Sequence, residues 1–240
     1  MDAIVLCGGL GTRLGELTRE TPKPLIEVAG RPFVAHVLDH LVSAGAKRIV
    51  LAVSFQWEKL RDSLGFSWLG IPLAYCVESA PMGTGGAIKL AMQQNDLETA
   101  LVVNGDTLLL ESPRPLMDLS GFYQADVVMA LKSVENAGRF GRVIIEPNGR
   151  VISFEEKGST NPGHINAGMY YVHRRVFNEI DKNKFSFEND ILSKYCEHLQ
   201  IFGHTTDAYF IDMGVPEDLQ RARLELKSVI PSHHQNSLEN

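Results

Sequence analysis

A short segment near the start of the chain carries residues suited to binding phosphate. Gly8, Gly9 and Gly11 share one loop with Thr12 and Arg13. Glycine allows backbone N–H groups to approach a ligand closely because no Cβ intervenes, and N–H groups beside a guanidinium suit a polyphosphate. The segment therefore predicts a site that binds a nucleoside triphosphate.

Lys23 adds a second cation a few residues later. It stands between Pro22 and Pro24, which restrict the backbone around it. The chain lacks the Gly-x-x-x-x-Gly-Lys-Ser/Thr string of one common phosphate loop, and Leu14 stands where the dinucleotide fingerprint requires its third glycine. The alternative interpretation is a simple glycine-rich turn, which the two nearby cations disfavour.

Asp106 and Asp212 are the candidate metal ligands. A lone carboxylate after a strand is usually a helix N-cap or a turn residue. As a pair they suit Mg²⁺, which binds one or two carboxylates together with phosphate oxygens and water. The spacing of Asp106 and Asp212 in the sequence does not by itself distinguish a metal site from two N-cap or turn residues.

The chain as a whole resembles the sugar-1-phosphate nucleotidyltransferases, whose signature is Gly-Gly-x-Gly-Thr-Arg-Leu followed by Pro-Lys-Pro. The resemblance continues through the segments Pro81–Ala87, Val103–Asp106, Phe140–Val143, Phe154–Lys157, Ile165–Tyr170 and Phe210–Asp218. Within the family, Phe185–Glu188 and the segment around Asp212 are most similar to D-glycero-α-D-manno-heptose-1-phosphate guanylyltransferases.

The resemblance implies a Rossmann-like (GT-A-like) fold and transfer of a nucleotidyl group from a triphosphate to a sugar 1-phosphate, for surface polysaccharide precursors. It implies that Arg13 and Lys23 are catalytic and that Asp106 and Asp212 bind Mg²⁺. The nucleotide-binding residues that it implies are Leu6, Gly8, Gly9, Gly11, Thr12, Arg13, Glu78, Gly83, Thr84 and Asp106. The sugar-phosphate-binding residues that it implies are Gly141, Glu156, Lys157, Asn166 and Gly168.

Glu78 is the candidate for selecting the base, because the resemblance places base-reading groups between it and the Gly83–Gly86 loop. A carboxylate offers only acceptors. Guanine presents two adjacent donors, whereas uracil and thymine present one N–H flanked by carbonyls. Glu78 therefore predicts GTP as the donor. The alternative is that Glu78 faces ribose or solvent and that loop backbone selects the base.

Alternating segments predict the elements that position these residues. Short apolar runs predict the strands Ala3–Leu6, Ile49–Val53, Leu73–Val77, Leu101–Val103 and Val127–Leu131. Intervening segments predict the helices Pro32–Ser43, Trp57–Leu64, Gly85–Gln94 and Pro115–Tyr123. This alternation indicates an α/β fold with a mostly parallel mixed sheet flanked by helices. Because ligands bind at the carboxyl ends of such strands, we expect the glycine loop, Glu78 and Asp106 to converge.

The second half of the chain is more mixed. Arg142–Glu146 and Arg150–Phe154 flank Pro147-Asn148-Gly149 and predict a hairpin. A further strand and two helices are predicted at Gly168–His173, Glu188–His198 and Pro216–Val229. We expect one domain over residues 1–230, with a nucleotide-binding part at 1–132 and a mainly sugar-phosphate-binding part at 133–230. Residues 231–240 are polar and predict a flexible tail.

Composition excludes other classes of protein. The 240 residues carry a net charge of −6, which argues against nonspecific binding to nucleic acid or to an anionic membrane. No apolar run is long enough to span a membrane and no signal sequence is evident, so we expect a cytoplasmic protein. Cys7, Cys76 and Cys196 are odd in number and widely separated, which argues against a disulfide framework or a zinc site.

Several interpretations stay open. A uridylyl- or thymidylyltransferase acting on a hexose 1-phosphate, or a mannose-1-phosphate guanylyltransferase, would have the same fold. A non-catalytic regulatory subunit would be expected to lack cations or metal carboxylates, yet Arg13, Lys23, Lys157, Asp106 and Asp212 are all present. The sequence leaves open whether the protein forms a homo-oligomer.

Overall fold

The fold is a central sheet covered by helices. The computed structural model describes residues 1–9, 15, 18, 21–155, 158 and 161–229. The strands are β1 (Asp2–Leu6), β2 (Glu27–Val28), β3 (Arg31–Pro32), β4 (Arg48–Val53), β5 (Ser67–Trp68), β6 (Ile71–Val77), β7 (Thr99–Asn104), β8 (Thr107–Leu109), β9 (Val127–Val134), β10 (Arg142–Ile145), β11 (Val151–Glu155), β12 (Gly163–His173), β13 (Ile201–Thr206) and β14 (Phe210–Asp212). The α-helices are α1 (Phe33–Ser43), α2 (Trp57–Leu64), α3 (Gly83–Gln94), α4 (Arg114–Tyr123) and α5 (Pro216–Val229). Lys23–Leu25 and Arg174–Phe177 are 3₁₀-helical, and Phe187–Ser193 is π-helical.

Parallel strands form the centre of the sheet, in the order β7-β1-β4-β6. Strand β1 lies between β4 and β7, so that Leu6 at its end is opposite Ala52 on one side and Asn104 on the other. The middle of β1 is fully buried on both faces, which explains its continuous apolar sequence. Because these strands end at one edge, the loops that follow them meet there.

Antiparallel strands extend the sheet beyond β7. Strand β12 is antiparallel to both β7 and β9, and β13 runs parallel to β9. Strands β10 and β11 form the predicted hairpin, closed by a 2.8 Å hydrogen bond from the N–H of Glu146 to the carbonyl of Arg150. Gly149 takes a φ of +86° in this turn, a conformation that glycine adopts without strain. The predicted mixed sheet with a parallel centre is therefore confirmed.

The core lies on both faces of the sheet. Alternate side chains of β1 enter different clusters, with Val5 in the cluster that includes Phe33 of α1 and Ile4 in the cluster that includes Ile88 of α3. Apolar burial on two faces is the main stabilising contribution to such a fold. The predicted helices on both faces are thus confirmed.

The predicted helix Glu188–His198 is wrong over its second half. The segment is π-helical only from Phe187 to Ser193, and turns follow. Beyond Ser193 the backbone closes turns instead, since the N–H groups of His198 and Leu199 both donate to the carbonyl of Tyr195, at 3.0 and 2.8 Å. The division at residue 132 stays a prediction, and residues 231–240 lie outside the described residues.

Candidate functional site

The end of β1 is held against its neighbours and against Glu78. The carbonyl of Leu6 accepts the N–H of Gly105 at 2.9 Å. The hydroxyl of Ser54 donates to the carbonyl of Gly8 at 2.7 Å. A Cβ on Gly8 would lie 2.7 Å from Oε1 of Glu78, so only glycine allows this approach without a shift of the carboxylate. The structure therefore brings the glycine segment and Glu78 together, as the strand pattern predicts.

Several predicted site residues lie outside the described part of the chain. They are Gly11, Thr12 and Arg13 of the phosphate loop and Glu156 and Lys157 of the sugar-phosphate segment. Gly9 is described and exposed, and a Cβ there would meet no atom within 4 Å. The roles assigned to all six residues stay predictions.

Lys23 is a buried cation at the ligand edge of the sheet. It begins the 3₁₀ segment Lys23–Leu25, and its side chain is only 8% exposed. Its Nζ donates a hydrogen bond to Oδ2 of Asp106, which follows β7. The structure therefore places the Pro-Lys-Pro segment beside Asp106. An ammonium in this position presents positive charge beside a carboxylate that is 35% exposed.

Asp212, which lies near the C-terminal end of the sequence, is positioned beside Asp106. Strands β8 and β14 pair antiparallel, which sets Asp212 opposite Thr107, and the N–H of Met213 donates to the carbonyl of Asp106 at 3.0 Å. The N–H of Gly214 donates to Oδ1 of Asp212 at 2.7 Å and holds the carboxylate in place. Two segments more than a hundred residues apart thus place their carboxylates in one site.

The electrostatics of this pair suit a divalent cation. Burial raises the pKa of Asp212, and the charge of Asp106 raises it further, whereas Lys23 opposes both effects. Two carboxylates that disfavour each other's charge favour a cation between them. Within the described residues no group of three or more His, Cys, Asp or Glu side chains is arranged so that it could hold a metal ion. Mg²⁺ needs no such cluster, because it binds one or two carboxylates and takes phosphate and water oxygens as its remaining ligands.

Glu78 lies at the carboxyl end of β6. Its N–H donates to the carbonyl of Val53 at 2.8 Å, and its Oε2 accepts the N–H of Met82 at 2.8 Å. Burial raises the pKa of Glu78, and the Met82 hydrogen bond acts in the opposite direction. The contact with Met82 fixes the carboxylate beside the start of α3, where the sequence predicts the base-reading loop.

The start of α3 is packed tightly against the segment before the π-helix. Gly83 has a φ of +72°, and a Cβ there would lie 2.5 Å from the carbonyl oxygen of Phe185. The hydroxyl of Thr84 donates to Oε2 of Glu188 at 2.8 Å and accepts the N–H of Phe187 at 2.8 Å. The hydroxyl of Thr84 is therefore occupied by contacts within the protein. We expect Gly83 and Thr84 to contact a nucleotide through their backbone atoms.

The sugar-phosphate candidates on β12 lie next to the end of β7. Oδ1 of Asn166 accepts the N–H of Gly168 at 3.0 Å. Gly168 has a φ of +72°, and a Cβ there would lie 2.7 Å from Nδ2 of Asn104. Gly141 belongs to a separate loop, where it has a φ of +80° and its N–H donates to the carbonyl of Ala137 at 3.0 Å. Asn166 and Gly168 thus lie beside the strand that leads to Asp106.

The sequence alone assigns no individual role to Ser54, Asn104, Tyr170 or Glu188, although the structure places all four against predicted site residues. Glu188 stands in the Phe185–Glu188 segment that carries the finer resemblance, and an acidic residue at the start of a predicted helix also suits the helix dipole. The sequence pattern could have identified Ser54 as a site residue, since Ser54 directly follows a central parallel strand.

Comparisons with known proteins agree with this geometry. A family model described as Nucleotidyl transferase matches residues 2–229. The D-glycero-alpha-D-manno-heptose 1-phosphate guanylyltransferase of Aneurinibacillus thermoaerophilus is 38% identical over 231 residues, which cover 96% of this chain and 100% of that protein. The mannose-1-phosphate guanylyltransferase of Mycobacterium tuberculosis is 35% identical, over 97% of this chain and 66% of that protein.

Solved structures show the same similarity. The crystal structure of HddC from Yersinia pseudotuberculosis complexed with GMP-PN has a TM-score of 0.83 at 33% identity, covering 92% of this chain and 97% of that one. A putative glucose-1-phosphate thymidylyltransferase from Bacillus anthracis also has a TM-score of 0.83, at 23% identity, and shows likeness of fold alone.

Proposed function

The chain belongs to the Nucleotidyl transferase family, and from this premise we propose that it joins GTP to D-glycero-α-D-manno-heptose 1-phosphate, giving a GDP-heptose and pyrophosphate. One observation carries the proposal. Lys23, Asp106 and Asp212, which come from distant parts of the sequence, meet at the carboxyl edge of the sheet. This is the charge arrangement that phosphoryl transfer between two polyanions requires.

The chemistry needs no nucleophile from the protein. An oxygen of the sugar phosphate attacks the α-phosphorus of GTP, a new P–O bond forms, and the bond to the β-phosphate breaks as pyrophosphate leaves. The attacking oxygen is already anionic, so the chain has to position two anions and neutralise their charge. Lys23 is suited to contact the α-phosphate and the incoming phosphate, because its buried ammonium group lies beside the partly exposed carboxylate of Asp106.

Asp106 and Asp212 would hold Mg²⁺. When bound, the ion would neutralise phosphate charge as the leaving group departs. The chain's own part is to keep the two carboxylates together, which it does through the β8–β14 ladder and the N–H of Gly214. Arg13, outside the described residues, is assigned to the leaving pyrophosphate.

Selection of GTP is assigned to Glu78. Its carboxylate is anchored by the N–H of Met82 at the loop that precedes α3. The two acceptor oxygens of a carboxylate at this position match the two adjacent donors of guanine. The resemblance of the chain to guanylyltransferases over nearly all of its length supports the same donor.

The cellular setting is also proposed. No helix among the described residues is long and apolar enough to cross a membrane. Cys7, Cys76 and Cys196 are free and buried, and free thiols of this kind are typical of a reducing compartment. On the ground of these thiols we propose that the reaction takes place in the cytoplasm.

The experiment that tests the proposal varies the acceptor. The protein is incubated with GTP, Mg²⁺ and one sugar 1-phosphate at a time: the heptose, mannose, glucose or galactose compound. Pyrophosphate release is expected with the heptose compound at a kcat/KM at least about tenfold above that with mannose, a difference of about 1.4 kcal/mol. Equal or better use of mannose 1-phosphate would assign the chain to the mannose-specific reaction of its Mycobacterium relative.

A further inference from the structure

Glu188 connects two segments that the proposed function assigns to different substrates. Its Oε2 accepts hydrogen bonds from the hydroxyl of Thr84 at 2.8 Å and from that of Ser186 at 3.2 Å. Its Oε1 accepts from the hydroxyl of Tyr170 at 3.2 Å. Thr84 begins α3 on the nucleotide side, and Tyr170 lies on β12, the strand of the sugar-phosphate candidates.

The chain of hydrogen bonds continues to the sugar-phosphate candidates themselves. Nδ2 of Asn166 donates to the hydroxyl of Tyr170 at 2.5 Å, and Oδ1 of Asn166 accepts the N–H of Gly168. This second contact fixes the orientation of the Asn166 amide, so that its NH₂ group faces Tyr170. Tyr170 is fully buried and its ring packs edge-on against Phe187 at 5.4 Å, so the network is held by apolar packing as well.

The donors and acceptors of this network are matched to a side chain at its centre that only accepts. The Thr84 hydroxyl accepts the N–H of Phe187, and the Ser186 hydroxyl accepts the N–H of Asn189 at 3.1 Å. The Tyr170 hydroxyl accepts from Asn166. Each hydroxyl thus accepts from an N–H group and has its own proton available to donate to Glu188. A side chain with a donor at this position leaves a hydroxyl proton without an acceptor.

We propose that Glu188 is a positioning residue that sets the nucleotide loop at the start of α3 relative to the sugar-phosphate segment of β12. This inference rests on the proposed function, because it takes these two segments to carry the two substrates. Both carboxylate oxygens of Glu188 accept from hydroxyls of the protein, so the proposal gives it no contact with the reacting atoms. Its loss therefore lowers kcat, since a misplacement of about 1 Å between reactants costs roughly 100-fold in rate, while each substrate still binds to its own segment.

The test compares Glu188→Gln with wild type in steady-state kinetics for both substrates. Gln has the same shape but places an NH₂ group against one hydroxyl donor. We expect kcat to fall at least about tenfold, with the KM values for GTP and for the sugar 1-phosphate each within about threefold of wild type. Gln can keep its oxygen toward the hydroxyls of Thr84 and Ser186. Its NH₂ group then faces the hydroxyl of Tyr170, so that two donors meet there.

A double variant checks this mechanism. Tyr170→Phe alone is expected to lower kcat, whereas in the Glu188→Gln background it removes the conflicting hydroxyl and is expected to leave kcat equal or higher. Asp190→Asn is the matched control, since Asp190 lies in the same π-helical segment but its described hydrogen bonds go to Ser186 and Lys194 at the two ends of that segment. Its kcat is expected within about threefold of wild type.

Three results would overturn the inference: an unchanged kcat in folded Glu188→Gln, a loss confined to the KM of one substrate, or an equal loss of kcat in Asp190→Asn. The inference would also be overturned if the kcat losses of Glu188→Gln and Tyr170→Phe multiply in the double variant. The wild-type rates with GTP and the heptose 1-phosphate test the proposed function separately. If wild type prefers another pair of substrates, the ratios of variant to wild type are measured with that pair.

Discussion

Replacing Lys23 with methionine removes one charge from the centre of the site and leaves the packing of its stem. The side chain is 8% exposed and its Nζ binds Asp106. Methionine fills nearly the same volume as the lysine stem, so the change is mainly electrostatic. Loss of a preorganised charge or donor at a reacting centre typically costs about 2.7–4 kcal/mol, or roughly 100- to 1,000-fold in kcat. We therefore expect kcat to fall at least about 100-fold.

The assay is pyrophosphate release from GTP at saturating sugar 1-phosphate and Mg²⁺, with thermal unfolding measured on the same samples. Lys89→Met is the matched control, because Lys89 is a partly buried lysine of α3 whose Nζ donates to the carbonyl of Ile180. It is expected to retain kcat within about twofold. A folded Lys23→Met protein with near-normal kcat would refute the role that we assign to Lys23.

The remaining predictions concern metal, base and packing. EDTA should abolish turnover and added Mg²⁺ restore it, and Asp106→Asn or Asp212→Asn should raise the half-saturating Mg²⁺ concentration by at least about tenfold; metal-independent turnover would contradict the carboxylate pair. Glu78→Gln should shift donor preference from GTP toward UTP or dTTP, measured as the ratio of kcat/KM values, and an unchanged ratio would remove Glu78 from base selection. Gly85→Ala should destabilise the fold by about 1–3 kcal/mol because the new Cβ would overlap the ring of Phe185. Its matched control, Gly121→Ala, also lies in a helix but meets no atom within 4 Å and should stabilise by about 0.5–1 kcal/mol, as denaturant unfolding would report.

The parallel half of the fold follows from sequence periodicity because its strands are buried on both faces. Ile49–Val53 and Leu101–Val103 are continuous apolar runs between polar turns, and the structure extends the first by one residue and the second by three. Residues that follow such strands, including Glu78 and Asp106, must gather at one edge. Their convergence was therefore predictable before any coordinates.

The pairing of β8 with β14 was not predictable in the same way. Each strand has three residues, and their partners lie about a hundred residues apart. Local periodicity carries no information about such a pairing, so the placement of Asp212 beside Asp106 depended on the family resemblance. The same limit applied to Glu188, whose partners Thr84 and Tyr170 come from two other elements.

The most direct measurement for the central claim is a competition among nucleotide donors. GTP, UTP, dTTP and ATP are supplied at equal concentration with D-glycero-α-D-manno-heptose 1-phosphate and Mg²⁺, and the nucleotide-sugar products are quantified by mass spectrometry. Our account predicts GDP-heptose in at least about 100-fold excess over every other product, because a mismatched base leaves buried polar groups unpaired. A comparable yield of UDP-, dTDP- or ADP-heptose, or no nucleotide-sugar at all from the folded protein, would contradict it.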